Sequence, residues 1–143
     1  MQLTRYTDFA FRILIHVGVQ PEGRLSTIPE ITKAYGISRA HLMKVVHDLG
    51  QAGFLQTVRG RNGGLRLGKP ASEISVGSVV RHTETGLKLI DCTGCVILPA
   101  CGLPRIMAEA ARAFLAVLDQ YSLQDLLSRD ERFLQELLGL RAA

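Results

Sequence analysis

Ser38-Arg39-Ala40-His41-Leu42-Met43-Lys44-Val45-Val46-His47-Asp48-Leu49 decides the fold of this 143-residue chain, together with the stretch that follows Gly53. That second stretch reads Phe54-Leu55-Gln56-Thr57-Val58, then Arg59-Gly60-Arg61-Asn62-Gly63-Gly64, then Leu65-Arg66-Leu67. In the first stretch Leu42, Val45, Val46 and Leu49 recur at helical spacing, with Ser38 as a hydroxyl cap and Gly53 as a stop, so a helix is predicted from Arg39 to about Ala52. Committing those four residues to a core turns Ala40, Lys44, His47 and Gln51 outward, with His41 and Asp48 beside them. The two short runs alternate in polarity, and Asn62-Gly63-Gly64 tolerates positive φ, which predicts a β-hairpin with a basic tip.

Upstream, Phe9, Ala10, Ile13, Leu14 and Val17 fall on one broad face of a helix predicted from Thr4 or Tyr6 to about Val19, ended by Pro21-Glu22-Gly23. Ser26-Thr27-Ile28-Pro29-Glu30 has a hydroxyl cap with Pro and Glu in the first turn, and opens a short helix through Ala34. Three helices followed by a hairpin is the order of a winged helix-turn-helix. Downstream come a short helix from about Val76 to Glu84, a loop rich in Gly and Pro, a long helix from about Pro104 to Tyr121, and an amphipathic tail from Leu123 to Leu140. The long helix carries Met107, Ala110, Ala111, Phe114, Leu118 and Tyr121 in one stripe, widened by Ile106, Ala113 and Val117. A small winged head cannot cover so broad a surface, so pairing with a second copy is expected. The expected fold is therefore mainly α with a small β-hairpin: a winged helix-turn-helix domain at 1–80, a cysteine region at 81–103, and a dimerisation helix with C-terminal tail at 104–143.

The net charge of +4 is unevenly spread. Residues 1–70 hold ten Lys/Arg against four Asp/Glu, or +6, and residues 71–143 hold seven against nine, or −2. The basic half is suited to a polyanion and the other half to a different task. The opening Met-Gln-Leu-Thr-Arg-Tyr-Thr-Asp has the pattern of neither a signal peptide nor a membrane span, which predicts a cytoplasmic protein with no membrane partner. No nucleophile elbow, phosphate loop or metal-hydrolase motif is present, so a binding protein is expected rather than an enzyme.

Ser38, Arg39, His41 and Lys44 lie near the N-terminal end of the third helix, where the dipole and hydroxyl favour phosphate while longer side chains reach base edges in a major groove. At the hairpin tip Arg59, Arg61 and Asn62 stand beside glycines, so a guanidinium can enter the minor groove with the backbone close behind it. Arg5 and Lys33 are candidate phosphate contacts, which position the protein without specifying sequence. The partner these features fit is double-stranded DNA.

The three cysteines, Cys92, Cys95 and Cys101, lie within ten residues. Structural disulfides are not expected in a reducing compartment, and an odd count leaves one thiol over. Thiolates gathered in a flexible loop are the soft ligands of iron–sulfur clusters and of zinc. A Cys₃His zinc site would draw on His82, the nearest histidine. A thiol-disulfide switch through Cys92-x-x-Cys95 is a third reading, weakened by the absence of a βαβ pattern.

The chain as a whole resembles the NsrR-type nitric-oxide-sensing repressors of the iron–sulfur winged-helix regulator superfamily. The stretches that carry the resemblance are Met1–Ala10, Tyr35–Leu49, Thr57–Leu67, Cys95–Leu103 and Ala113–Leu123, so it spans residues 1 to about 127. It implies a homodimeric repressor of palindromic operators and an iron–sulfur cluster on Cys92, Cys95 and Cys101, with nitric oxide as the signal. It also implies a fourth ligand from the partner subunit's Asp8; read without the resemblance, Asp8 is a first-turn charge that favours the helix N-terminus. Only two residues separate Cys92 from Cys95, a shorter first gap than such regulators usually have, and a 4Fe–4S cluster is preferred over 2Fe–2S. No histidine follows Cys101, which counts against the sibling that regulates cluster assembly. A redox- or iron-responsive regulator of the same architecture is the alternative.

Overall fold

The oxygen of the Thr4 side chain accepts the Thr7 N–H and starts the first helix, α1 (Arg5–Gly18), whose inward face is Ala10, Ile13, Leu14 and Val17. Thr27 and Glu30 cap each other's backbone N–H groups to start α2 (Ile28–Tyr35), with Pro29 in the first turn. Ser38 accepts the His41 N–H and starts α3 (Arg39–Gln51). Caps of this kind each stabilise a helix by about 1 kcal/mol, so all three helix starts in the head are set by local sequence. The structure is a computed structural model that describes residues 1–140; residues 141–143, assigned above to the tail, lie outside the described residues.

After α3 the chain forms β1 (Leu55–Val58) and β2 (Gly64–Leu67), antiparallel with Leu55 opposite Leu67 and Val58 opposite Gly64. The expected hairpin is present, but its glycines act differently from the expectation. Positive φ falls on Gly60, not on Gly63 or Gly64. Those two are needed for close approach: a Cβ on Gly63 would lie 2.2 Å from the Val58 carbonyl oxygen, and one on Gly64 would lie 2.5 Å from that of Ser26. Ser26 pairs there as a third short rung, exchanging backbone hydrogen bonds with Leu65 at 2.7 and 3.0 Å. The wing is thereby stitched to the segment between α1 and α2.

The remaining helices among the described residues are α4 (Val76–Thr83), α5 (Leu103–Leu118), α6 (Leu123–Leu127) and α7 (Glu131–Leu137). The long helix was expected to reach Tyr121 and stops at Leu118. The reason is competition for backbone groups: the Tyr121 carbonyl accepts the Val76 N–H at 2.9 Å and the Leu123 N–H goes to the Ile74 carbonyl at 2.8 Å, so residues 121–123 pair beside α4. The tail is two helices and folds back on the head. Leu123 and Leu127 join the same buried cluster as Ile13, Leu14, Leu42 and Leu49, and the Gln135 side chain donates to the Val19 carbonyl at the end of α1 at 2.8 Å. No helix of the described residues is long and apolar enough to cross a membrane.

The face of α5 divides in two. Ala111 is buried and Met107, Phe114 and Leu118 are half-buried, while Leu103, Ile106, Ala110, Ala113, Val117 and, just past the helix end, Tyr121 are exposed. The exposed set recurs every three or four residues, the spacing of a helix-pairing seam.

Candidate functional site

All nine residues proposed from the sequence for DNA contact, Arg5, Lys33, Ser38, Arg39, His41, Lys44, Arg59, Arg61 and Asn62, are solvent-exposed. Arg5, His41 and Lys44 line one shallow hollow together with Tyr6, Phe9 and Val45. Arg39 stands at the first position of α3 beside its cap. Arg59, Arg61 and Asn62 occupy the turn between β1 and β2, and Lys33 lies in the last turn of α2. Met43, absent from the sequence-based candidates, is also exposed on α3 at 49%. An unburied methionine on a reading helix suits the methyl group of thymine; its exposure between Leu42 and Lys44 was the available signal.

Asp48 was expected to face outward and does not. It is half-buried: Tyr6 of α1 donates its hydroxyl to Oδ2 at 2.8 Å, and His82 Nε2 of α4 lies 3.1 Å from the same oxygen. Burial, then the hydrogen bond and charge of Asp48, push the Tyr6 hydroxyl up to about 12. His82 also packs edge-on against Phe54, 5.9 Å between ring centroids. The histidine weighed for a zinc site is thus engaged with Asp48 on α3, and it holds the back of α3 to α4 instead of turning toward the thiols. Sequence reasoning missed this network because its three members are far apart in the chain.

The cysteine segment leaves the head at a second junction. Glu84 accepts the Thr4 N–H at 2.7 Å and the Thr4 hydroxyl at 2.9 Å, and the Thr7 hydroxyl also donates to it. Burial opposes its charge, yet these bonds hold Glu84 below the usual carboxylate range. The start of the segment is fixed to the first turn of α1, the turn that carries Arg5 and Asp8. Asp8 itself is exposed and paired with Arg12 at 3.0 Å.

From Cys92 onward the chain makes three successive turns, in which the N–H groups of Cys95, Leu98 and Cys101 bond to the carbonyls of Cys92, Cys95 and Leu98, each at 3.2 Å. The three cysteines stand at joints of these turns, and a closed turn of this type keeps its ends within about 7 Å. All three thiols are free, Cys95 exposed and the other two partly so. Among the described residues no three Cys, His, Asp or Glu side chains are gathered to hold a metal ion, and neither Asp8 nor His82 joins the thiols within one chain. By donor chemistry the residues fit an iron–sulfur cluster: three soft ligands, free and at least partly exposed, within one short run of turns. Beside Cys92 an open hollow of about 410 Å³ is lined mainly by apolar side chains, among them Leu87, Ile90, Leu98 and Met107.

A capped reading helix, a stitched basic wing and a separate exposed helix define a winged-helix transcription regulator. The chain belongs to the Rrf2 family, described as iron-dependent transcriptional regulators, which it matches over residues 3–129. Within that family it is of the NsrR type, as the sequence resemblance implied. It is 45% identical over 142 residues to the HTH-type transcriptional regulator NsrR of Bacillus subtilis (strain 168), covering 96% of this chain and 97% of that protein. To the NsrR of Halalkalibacterium halodurans it is 43% identical over 146 residues, covering 99% of each. The fold is that of CymR, the global cysteine regulator of B. subtilis (TM-score 0.72, 23% identity, 90% of this chain and 97% of that one). It is also that of IscR of T. potens (TM-score 0.74, 20% identity, 90% and 87%). The named relatives regulate transcription, and the protein is not an enzyme.

Proposed function

We propose that the protein is a cytoplasmic homodimeric repressor that binds palindromic operator DNA while Cys92, Cys95 and Cys101 hold an iron–sulfur cluster, and that nitric oxide releases it. The observation that carries this reading is the position of the cysteine segment: it starts on Glu84, clamped to α1 of the head, and ends at α5, whose apolar seam is exposed. Residues 1–80 read DNA, 81–103 hold the cluster, and α5 in the 104–143 region pairs two copies. Lys44, Arg39 and His41 enter the major groove, Arg59, Arg61 and Asn62 meet the minor groove, and Arg5 and Lys33 contact phosphate. A 4Fe–4S cluster is preferred over 2Fe–2S.

When bound, the cluster supplies iron that nitric oxide can ligate in competition with the protein's donors. The three thiolates tie successive turns of one segment together and so fix the path between head and α5. The partner subunit's Asp8 would supply a hard oxygen donor, held by iron less firmly than a thiolate; within one chain Asp8 pairs with Arg12. Two heads must meet major-groove faces about 34–36 Å apart in a one-turn arrangement, so a small change in the angle of each head costs affinity.

The deciding experiment is anaerobic titration of the purified dimer with nitric oxide, following cluster absorbance and DNA affinity together. Affinity should fall in step with the cluster signal, and unchanged affinity after complete cluster loss would end the proposal. Loss of affinity to an iron chelator or oxidant but not to nitric oxide would select the iron- or redox-responsive alternative. Iron and acid-labile sulfide analysis adds a second check: about four iron per chain is expected, and zinc in their place would overturn the cluster.

A further inference from the structure

We infer that His41 is the residue of α3 that selects a purine, guanine above all, through an N–H donor whose direction is fixed by Ser38 and Phe9. This deepens the reading above and rests on α3 entering the major groove. Ser38 Oγ accepts the His41 backbone N–H, as the helix cap requires, and lies 2.9 Å from His41 Nδ1. An oxygen that already accepts from the backbone satisfies Nδ1 best by giving it the hydroxyl proton. That leaves the imidazole proton on Nε2. The opposite tautomer would leave the Ser38 proton without this acceptor.

The ring is also held from the side. Phe9 of α1 lies 6.5 Å away between centroids at a 35° tilt, so two elements restrain one exposed side chain. Arg5 and Lys44 flank it around the same hollow of about 230 Å³, and these cations suit the phosphates on either side of a contacted base. Among the described residues Nε2 has no hydrogen-bond partner. It is a donor without an acceptor on an exposed side chain near the N-terminal end of α3, at the hollow between α1 and α3.

In the major groove a single donor is accepted by purine N7 and by thymine O4, but the thymine acceptor stands alone beside the C5 methyl group, which crowds an imidazole. Guanine alone adds a second acceptor, O6, beside N7, whereas adenine N6 and cytosine N4 are donors and repel another donor. The side chains of Lys44 and Arg39 reach further, and among the described residues neither makes a hydrogen bond or ion pair that would hold it. His41 is therefore the group on α3 with the narrowest choice of base.

The test uses the full-length dimer, prepared anaerobically, and a pool of duplexes with a randomised central segment. The wild type and His41→Ala are taken through selection and sequencing. His41→Ala should keep the wild-type preferences except at one guanine in each half-site, and bind the wild-type-selected duplex about tenfold more weakly with an unchanged salt slope. Ser38→Ala, which frees the ring, should relax the same position partly, and Ser38→Thr should restore it. As a measurement that needs no variant, 7-deazaguanine at that position should weaken the wild type about tenfold and leave His41→Ala unaffected. Continued selection of the same guanine by His41→Ala, or a salt slope lower by about one, overturns the inference; the second would make His41 a phosphate contact. If the wild type itself selects no sequence, the functional reading has failed and the inference falls with it.

Discussion

The head and the stretch that leaves it are both rich in apolar residues and opposite in how that surface is used. Ile13, Leu14, Leu42 and Leu49 are wholly buried, whereas Val96, Ile97, Ile106 and Val117 stand 92, 64, 54 and 53% exposed. Every α-helix start in the head is capped by its own sequence, and the one buried histidine, His16, meets Ser26 Oγ at 3.1 Å. Among the described residues the cysteine segment has turns but gives no side chain to the buried core. The difference teaches that the head buries its apolar side chains within one chain, while the segment and the seam of α5 leave theirs uncovered.

The comparison breaks first, and most heavily, in the core. Ile13→Ala should cost about 2–5 kcal/mol in denaturant-induced unfolding, while Val96→Ala in the cysteine segment should cost less than about 0.5 kcal/mol. Equal losses would mean that the segment is packed after all. Next in size, Ile106→Asp places a charge on the exposed seam. It should weaken self-association by about 3 kcal/mol, on the order of 100-fold, with helix content unchanged, as read by sedimentation velocity and circular dichroism.

A smaller effect is expected where the reading helix is tied to the rest of the head. Asp48→Ala strips Tyr6 and His82 of their shared acceptor and should cost about 1–3 kcal/mol of stability. DNA affinity should fall as well, because α3 loses its attachment to α1 and α4. The smallest concerns pH. Burial lowers the His16 pKa from its ordinary value of 6.5, against the pull of nearby Glu30. Above 6.5 the ring is neutral in both folded and unfolded chains and stability does not vary through it. Below 6.5 the unfolded chain takes the proton first, so stability falls as pH falls toward the depressed folded value. His16→Gln should flatten that slope in unfolding titrations between pH 7 and 5.

Much of this was legible in the residues. Leu42, Val45, Val46 and Leu49 gave α3 its inward face, Ser38 its start, and the +6 balance of residues 1–70 the kind of partner. The role of Gly63 and Gly64 was not legible, since glycine serves positive φ and close approach equally well, and only the Val58 carbonyl beside Gly63 and the rung at Ser26 beside Gly64 distinguish them. Nor was the inward turn of Asp48, whose partners are 42 and 34 residues away in the chain.

The sequence by itself determined the elements, their order and the exposed donors, because caps, periodicity and charge act over one to four residues. Only the tertiary structure decided where α5 ends, that the tail returns to the head, and that the His41 ring lies against Phe9 of α1. Those outcomes depend on which distant backbone groups and side chains compete for the same hydrogen bonds, and local pattern carries no record of that competition.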